Sequence, residues 1–340
     1  MRARTIMLGA VLAGCSGGGD DGGAAARFEP IEGPADTVRY AAAGDALVAL
    51  VATAGFKAET IGDVAAYVNS EATTPTAPGE FASLYYETGG LRAAVEGAQE
   101  RRPDRTRNDQ AGSRIAAQIA TALTQGAVSA TADGQRSSPR WYASFAARRL
   151  DQFMLLEVWD GLTERSAAGF DRALGYLIDG DGGRHGLGRI IDQGDQACGT
   201  AYFSALSGAL ADARPAFVAA LEAKGELDPL DRLRIQEGDS PEYDAALILA
   251  DKALVAGLGT AFLALMQAEP FDATAQAAAQ GAFEALVADL QIAETPDCGG
   301  EGSVVDQIGR TLDAATPGEV DRARVQCLVA GALEINPCGG

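Results

Sequence analysis

Apolar residues recur at three- and four-residue steps along most of the chain. Between 201 and 221, Phe203, Leu206, Leu210, Ala213, Phe217 and Leu221 follow one another at that spacing. This places them in one stripe down a helix face, as a bundle helix requires. The same period predicts a helix over 141–162 with Phe145, Phe153, Leu156 and Trp159 inward, and further helices over 241–268 and 273–292. Stretches 36–54, 80–100, 113–125 and 317–333 carry the pattern too. Runs of alternating β-branched residues are absent, and Gly, Pro and Asp clusters punctuate the periodic segments. The expected fold class is all-α: eight or so helices in one or two packed bundles, with any boundary near 180–197.

The segment "ALVAGLGTAFLALMQA" (253–268) has 16 residues without a charge, and Asp251 and Lys252 precede it. A membrane span needs about 20 apolar residues, so the segment reads as a buried central helix. Ala253, Gly257 and Ala261 form a small-residue ridge on it that permits close packing.

Composition narrows the partners. A chain of 340 residues that is 47% hydrophobic buries a sizeable core without help from a metal. Its formal charge is −20, from 27 basic and 47 acidic residues. The basic excess that neutralises phosphates is missing, so nucleic acid is not an expected partner.

The N-terminus carries the most specific signal. Arg2 and Arg4 precede an apolar run "IMLGAVLAG" (6–14) that is too short to span a bilayer and ends in "LAGC" (12–15). This resembles a bacterial lipobox, which implies lipidation of Cys15, cleavage of residues 1–14, and membrane attachment through acyl chains. Ser16 stands where an aspartate would imply retention at the inner membrane, so the resemblance implies the outer membrane. The mature chain would carry 25 basic against 47 acidic residues, a charge of −22. Anionic headgroups repel such a surface, so acyl chains would have to supply the attachment. Residues 15–33, with "SGGGDDGGAAA" (16–26), read as a flexible acidic tether, and 34–340 as the helical body.

Export makes disulfides persistent, and four cysteines remain: Cys198, Cys298, Cys327 and Cys338. None belongs to a C-x-x-C pair, so a zinc ribbon is not expected. Four cysteines allow three pairings; Cys198–Cys298 with Cys327–Cys338 is the expected one, closing a short loop around the C-terminal tail.

Within 159–180, Phe170-Asp171-x-Ala173-x-Gly175-Tyr176 resembles the F/W-D-E-A-x-G-Y stretch of imelysin-like helical lipoproteins of Gram-negative envelopes. Arg172 stands where that pattern has Glu, and the similarity covers at most residues 110–225. It implies packed helical bundles, an envelope address and a link to iron or other metal uptake. Read as residues alone, Phe170, Ala173, Leu174 and Leu177 form one helix face, with Asp171 and Arg172 solvated. The acidic pairs Glu157–Asp160 and Asp160–Glu164 also read as solvated faces.

Metal chemistry has one candidate location, "DGDGGRHGLGRIIDQGD" (179–195), which holds the only histidine. Better-known imelysins carry G-x-H-x-x-E with His and Glu as candidate ligands; here Gly183 and His185 fit, but Gly188 replaces the glutamate. An EF-hand register from Asp179 and Asp181 fails at Arg184 (position 6) and Ile190 (position 12). A looser oxygen cage of Asp179, Asp181, Asp192 and Asp195 with His185 would hold at most a weakly bound divalent cation; no other cofactor is expected. The alternative is a helix–helix loop in which Asp192 or Asp195 caps the helix containing Cys198. No G-x-S-x-G, Walker or Rossmann motif occurs. The expected function is a non-catalytic binding or accessory module with an envelope protein or a small ligand as partner. The alternatives are an imelysin-like metallopeptidase or other hydrolase using His185, and a structural envelope protein.

Overall fold

A computed structural model describes residues 37–64, 79–88, 90–98, 111–164, 166–179, 183–222 and 241–338. The expected lipobox with Cys15, the expected tether and Asp181 lie outside these residues. The described residues form thirteen α-helices and no strand, so the fold is all-α. The helices are α1 (Thr37–Val51), α2 (Ala58–Ile61), α3 (Glu80–Glu87), α4 (Leu91–Gly97), α5 (Ala111–Val128), α6 (Pro139–Thr163) and α7 (Ala167–Leu174). They continue as α8 (Gly186–Cys198), α9 (Tyr202–Glu222), α10 (Pro241–Met266), α11 (Ala273–Ile292), α12 (Val304–Leu312) and α13 (Arg322–Ala332).

Local chemistry sets many of the boundaries. Ser138, Ser166, Asp272, Ser303 and Asp321 each accept a backbone N–H from the first turn of the helix that follows, which begins α6, α7, α11, α12 and α13. Two long expected helices are divided. The 80–100 stretch breaks into α3 and α4 because Gly90 sits at φ +93°, a left-handed conformation that cannot continue a helix. The 317–333 stretch begins with a 3₁₀ turn at Pro317–Glu319, and Asp321 caps the α-helix proper.

Helix α6 is the centre of the structure. It packs against α11 and α5 along its length and also touches α1, α7 and α8. Seventeen of its 25 residues are buried, and its apolar character does not concentrate on one side, as expected of an internal helix. Polar residues lie inside with the apolar ones: Arg149 is fully buried, and its Nε and Nη2 donate to Gln118 Oε1 on α5 at 3.0 and 2.5 Å. Glu284 on α11 stands 3.9 Å from its Nη1. Burial lowers the pKa of Arg149 to about 10, with Glu284 opposing.

The second layer is α8, α9 and α10. Helix α10 carries the long apolar run; its mean hydropathy over 244–266 is high enough for a membrane span, yet two thirds of that window is inside the protein. The small-residue ridge explains how. A Cβ on Gly194 of α8 would lie 2.7 Å from the Ala261 backbone, and one on Gly257 would lie 2.5 Å from Ile191. The two backbones approach this closely only because those positions lack bulk. One hydrophobic core runs from Ala41 to Cys338, and part of the boundary expected at 180–197 is the buried helix α8, with Leu187, Ile190 and Ile191 inside.

The disulfides differ from the expected pairing. Cys198 at the end of α8 bonds Cys338, and Cys298 bonds Cys327 on α13. The tail after α13 reverses at Glu334, with φ +54°, and runs back along α10. There Leu333 and Ile335 approach Gly259, and Gln267 Nε2 donates to the Cys338 carbonyl at 2.5 Å. That path carries Cys338 away from Cys327 and beside Cys198, with both sulfurs within 4 Å of the Thr260 carbonyl oxygen.

Candidate functional site

The described side chains of the aspartate–histidine loop find partners within the protein. Asp179 closes its own turn: its Oδ1 accepts from Gly183 N at 2.7 Å, while its N–H donates to the Gly183 carbonyl at 2.8 Å. His185 is buried at the N-cap of α8, and its Nε2–H donates to the Gly175 carbonyl at 2.8 Å. That bond fixes the ring and leaves Nδ1 as its acceptor nitrogen, with no set of three metal-ligating side chains around it among the described residues. Asp192 forms an ion pair with Arg184, whose guanidinium also lies 4.6 Å from the centre of the Phe203 ring. Asp195 is buried and accepts from Thr200 Oγ1 (2.5 Å), Tyr202 N (3.0 Å) and Phe203 N (2.7 Å). It therefore caps α9, the helix after its own, and not the Cys198 helix as expected. Among the described residues no group of three His, Cys, Asp or Glu side chains could hold a metal ion. The described members of the expected oxygen cage thus have separate partners: Asp179 and Asp195 take backbone amides, Asp192 takes an arginine, and His185 donates to a carbonyl.

The resemblance stretch is more buried than a solvated face would be. Phe170, Asp171, Ala173 and Tyr176 are all buried, and Arg172 reaches Asp160 Oδ2 at 2.7 Å and Glu164 Oε2 at 2.8 Å. Asp160, expected on a solvated acidic face, is buried beneath that arginine. The reason is helix pairing: Gly161 and Gly169 let α6 and α7 approach until a Cβ on either would lie within 2.5 Å of the other's carbonyl oxygen. Polar groups beside such a contact lose access to water and must find partners within the protein.

A different location gathers the features of a binding site. Between α1, α6, α8, α10 and α11 lies a half-enclosed cavity of about 380 Å³. Its walls are mostly apolar, with Ile190, Leu258, Phe262 and Leu265 prominent. It exists because the contact at Gly194 and Ala261 is surrounded by further small residues, Ala197, Ala264 and Ala282, which leave volume unfilled. Gln193 and Gln196 stand at its exposed rim.

Two charged groups of α6 face this cavity. Asp151 is almost wholly buried, and Arg148, one turn earlier, is half-buried. Arg148 Nη1 donates to Asp151 Oδ2 at 3.4 Å, a long contact and the only protein hydrogen bond either side chain makes among the described residues. Burial raises the Asp151 pKa to about 6; Arg148 opposes the rise and Asp45 adds to it. Asp45 on α1 is better matched, taking Arg189 at 2.7 Å and the Gly186 amide at 3.0 Å. Arg148 and Asp151 therefore form the polar end of an apolar cavity, and the Asp45–Arg189 pair lies near enough to Asp151 to act on its charge.

None of these four residues was a candidate in the sequence. The available signal was "FAARRLDQF" (145–153), where Arg148, Arg149, Asp151 and Gln152 interrupt a helix whose period demands burial. Compared with known proteins, the chain matches no family model, no curated protein and no solved structure.

Proposed function

We propose that the chain is an outer-membrane-anchored lipoprotein whose helical body acts as a non-catalytic binding module of the cell envelope. The observation that carries the reading is the sequence Leu12–Ala13–Gly14–Cys15, after a short basic and apolar leader and before the acidic, glycine-rich stretch 16–26. Two acyl chains on a processed cysteine anchor a protein stably, and a charge of −22 on the mature chain keeps it off anionic headgroups. The cavity beside Arg148 and Asp151 supports binding as the body's role: it is concave, largely apolar and provided with a few polar groups at one end. It also favours an organic ligand over a bare metal ion, because its polar end presents as many cations as carboxylates. The link to iron or metal uptake rests on the imelysin resemblance alone. A hydrolase using His185 gains no support from a ring nitrogen bonded to a backbone carbonyl.

The test is Cys15→Ser in the full chain, expressed in a Gram-negative host. Labelled palmitate is expected to enter the parent and not the variant, and the variant is expected in the soluble periplasmic fraction. Palmitate in the variant, or a parent that never sediments with outer membranes, refutes the anchoring.

A further inference from the structure

The polar end of the cavity restricts what can bind there, if binding is the body's role. Asp151 is a buried carboxylate with one long hydrogen bond, and a carboxylate accepts several. Arg148 has five N–H donors and directs one of them to a protein partner, Asp151. The pair thus presents an acceptor and a set of donors side by side on one turn of α6.

Charge decides between ligand classes. A cationic head on Asp151 would sit against the Arg148 guanidinium, which is within 3.4 Å of the same carboxylate. An anionic head on Arg148 would sit against Asp151 and would be repelled at long range by a net charge of −20. Arg189 and Asp45 cancel behind the pair and favour neither sign. A neutral head with one donor and one acceptor satisfies both residues at once, through two charge-assisted hydrogen bonds, and brings no unbalanced charge into an apolar enclosure. We propose that the cavity between α1, α6, α8, α10 and α11 binds a small apolar molecule through a neutral head of the primary-amide class, seated on Arg148 and Asp151. Ile190, Phe262 and Leu265 enclose its apolar body, and the volume of about 380 Å³ suits a single short chain or one ring system.

This proposal rests on the binding-module reading, and one titration series separates the two. The full chain carrying Cys15→Ser, free of detergent, is titrated calorimetrically at pH 7.5 with octanamide, octylammonium and octanoate. Octanamide is expected to bind about tenfold tighter than either charged probe, the factor one charge-assisted hydrogen bond carries. Ala264→Phe, which fills the cavity from a wall residue outside the pair, is expected to remove binding of all three while the thermal transition is retained. Asp151→Leu is expected to remove the preference for the amide. If a charged probe binds as well as octanamide and Ala264→Phe abolishes it, the head class is wrong and the binding reading stands. If octanamide binding survives Ala264→Phe, the site is wrong. If no probe binds at all, both readings fall.

Discussion

Asp151→Asn isolates the energetic consequence of burying a carboxyl group in the central helix. Burial is the first cause of the rise in its pKa from 3.8 to about 6. Each unit of difference between folded and unfolded states corresponds to about 1.4 kcal/mol, so the ionised side chain weakens the fold by about 3 kcal/mol. The sign follows from proton binding. Between the two pKa values the folded state holds the proton and the unfolded state releases it, so this group's contribution to stability falls as pH rises from about 4 to about 6 and is constant above that. Asparagine cannot ionise and removes the dependence. Its other effects, including the altered contact with Arg148, do not change with pH in this window. Urea unfolding followed by far-ultraviolet circular dichroism at pH 4, 5, 6 and 7.5 gives the stability of variant and parent under identical conditions, so the many other carboxylates cancel in the difference. The variant's stability relative to the parent is expected to rise by about 2.4 kcal/mol between pH 4 and 7.5, with most of the change complete by pH 7. A relative stability that stays flat within about 0.5 kcal/mol, the range of neutral surface substitutions, refutes a buried protonatable Asp151. So does a fall, which would mean that the arginines outweigh burial.

Two glycines provide a paired test of the helix contacts. Gly194→Leu forces α8 away from the Ala261 backbone and is expected to lower stability by about 3 kcal/mol, whereas Gly208→Ala on α9, with nothing near its missing Cβ, should raise it by about 0.5–1 kcal/mol; equal effects in urea unfolding would contradict the close approach. Peptide mapping under non-reducing conditions should link Cys198 to Cys338 and Cys298 to Cys327. Removing the first pair should destabilise more than removing the second, by about 1 kcal/mol, because it closes a separation of 140 residues against 29. Detection of a Cys198–Cys298 peptide would overturn the path of the tail.

The helices were legible where the apolar period was long and uninterrupted. Segments 141–162, 201–221, 241–268 and 273–292 correspond to α6, α9, α10 and α11 within about two residues at each end. Short helices were not: α2 has four residues and α12 has nine, too few turns for a period to stand out. The small-residue ridge at Ala253, Gly257 and Ala261 was readable as a packing face, and Gly257 and Ala261 do meet α8. The loop at 179–195 left two readings open because aspartate, glycine and histidine are the residues of metal sites and also of turns and caps. Asp179 and Asp195 bond backbone amides, and which amides lie within reach is a matter of where helices begin.

The sequence by itself determined the all-helical class and the buried place of the α10 run, because period and length are properties of neighbouring residues. Only the tertiary structure decided which cysteines pair and which charges face one another. It brought Arg148 and Asp151 to one end of a cavity and set the Asp45–Arg189 pair, from two other helices, near Asp151. A cavity is volume left over when helices pack, and its polar end is set by which turn of each helix reaches it. Neither quantity is written in local spacing; both follow from the distances that glycine and alanine allow between backbones.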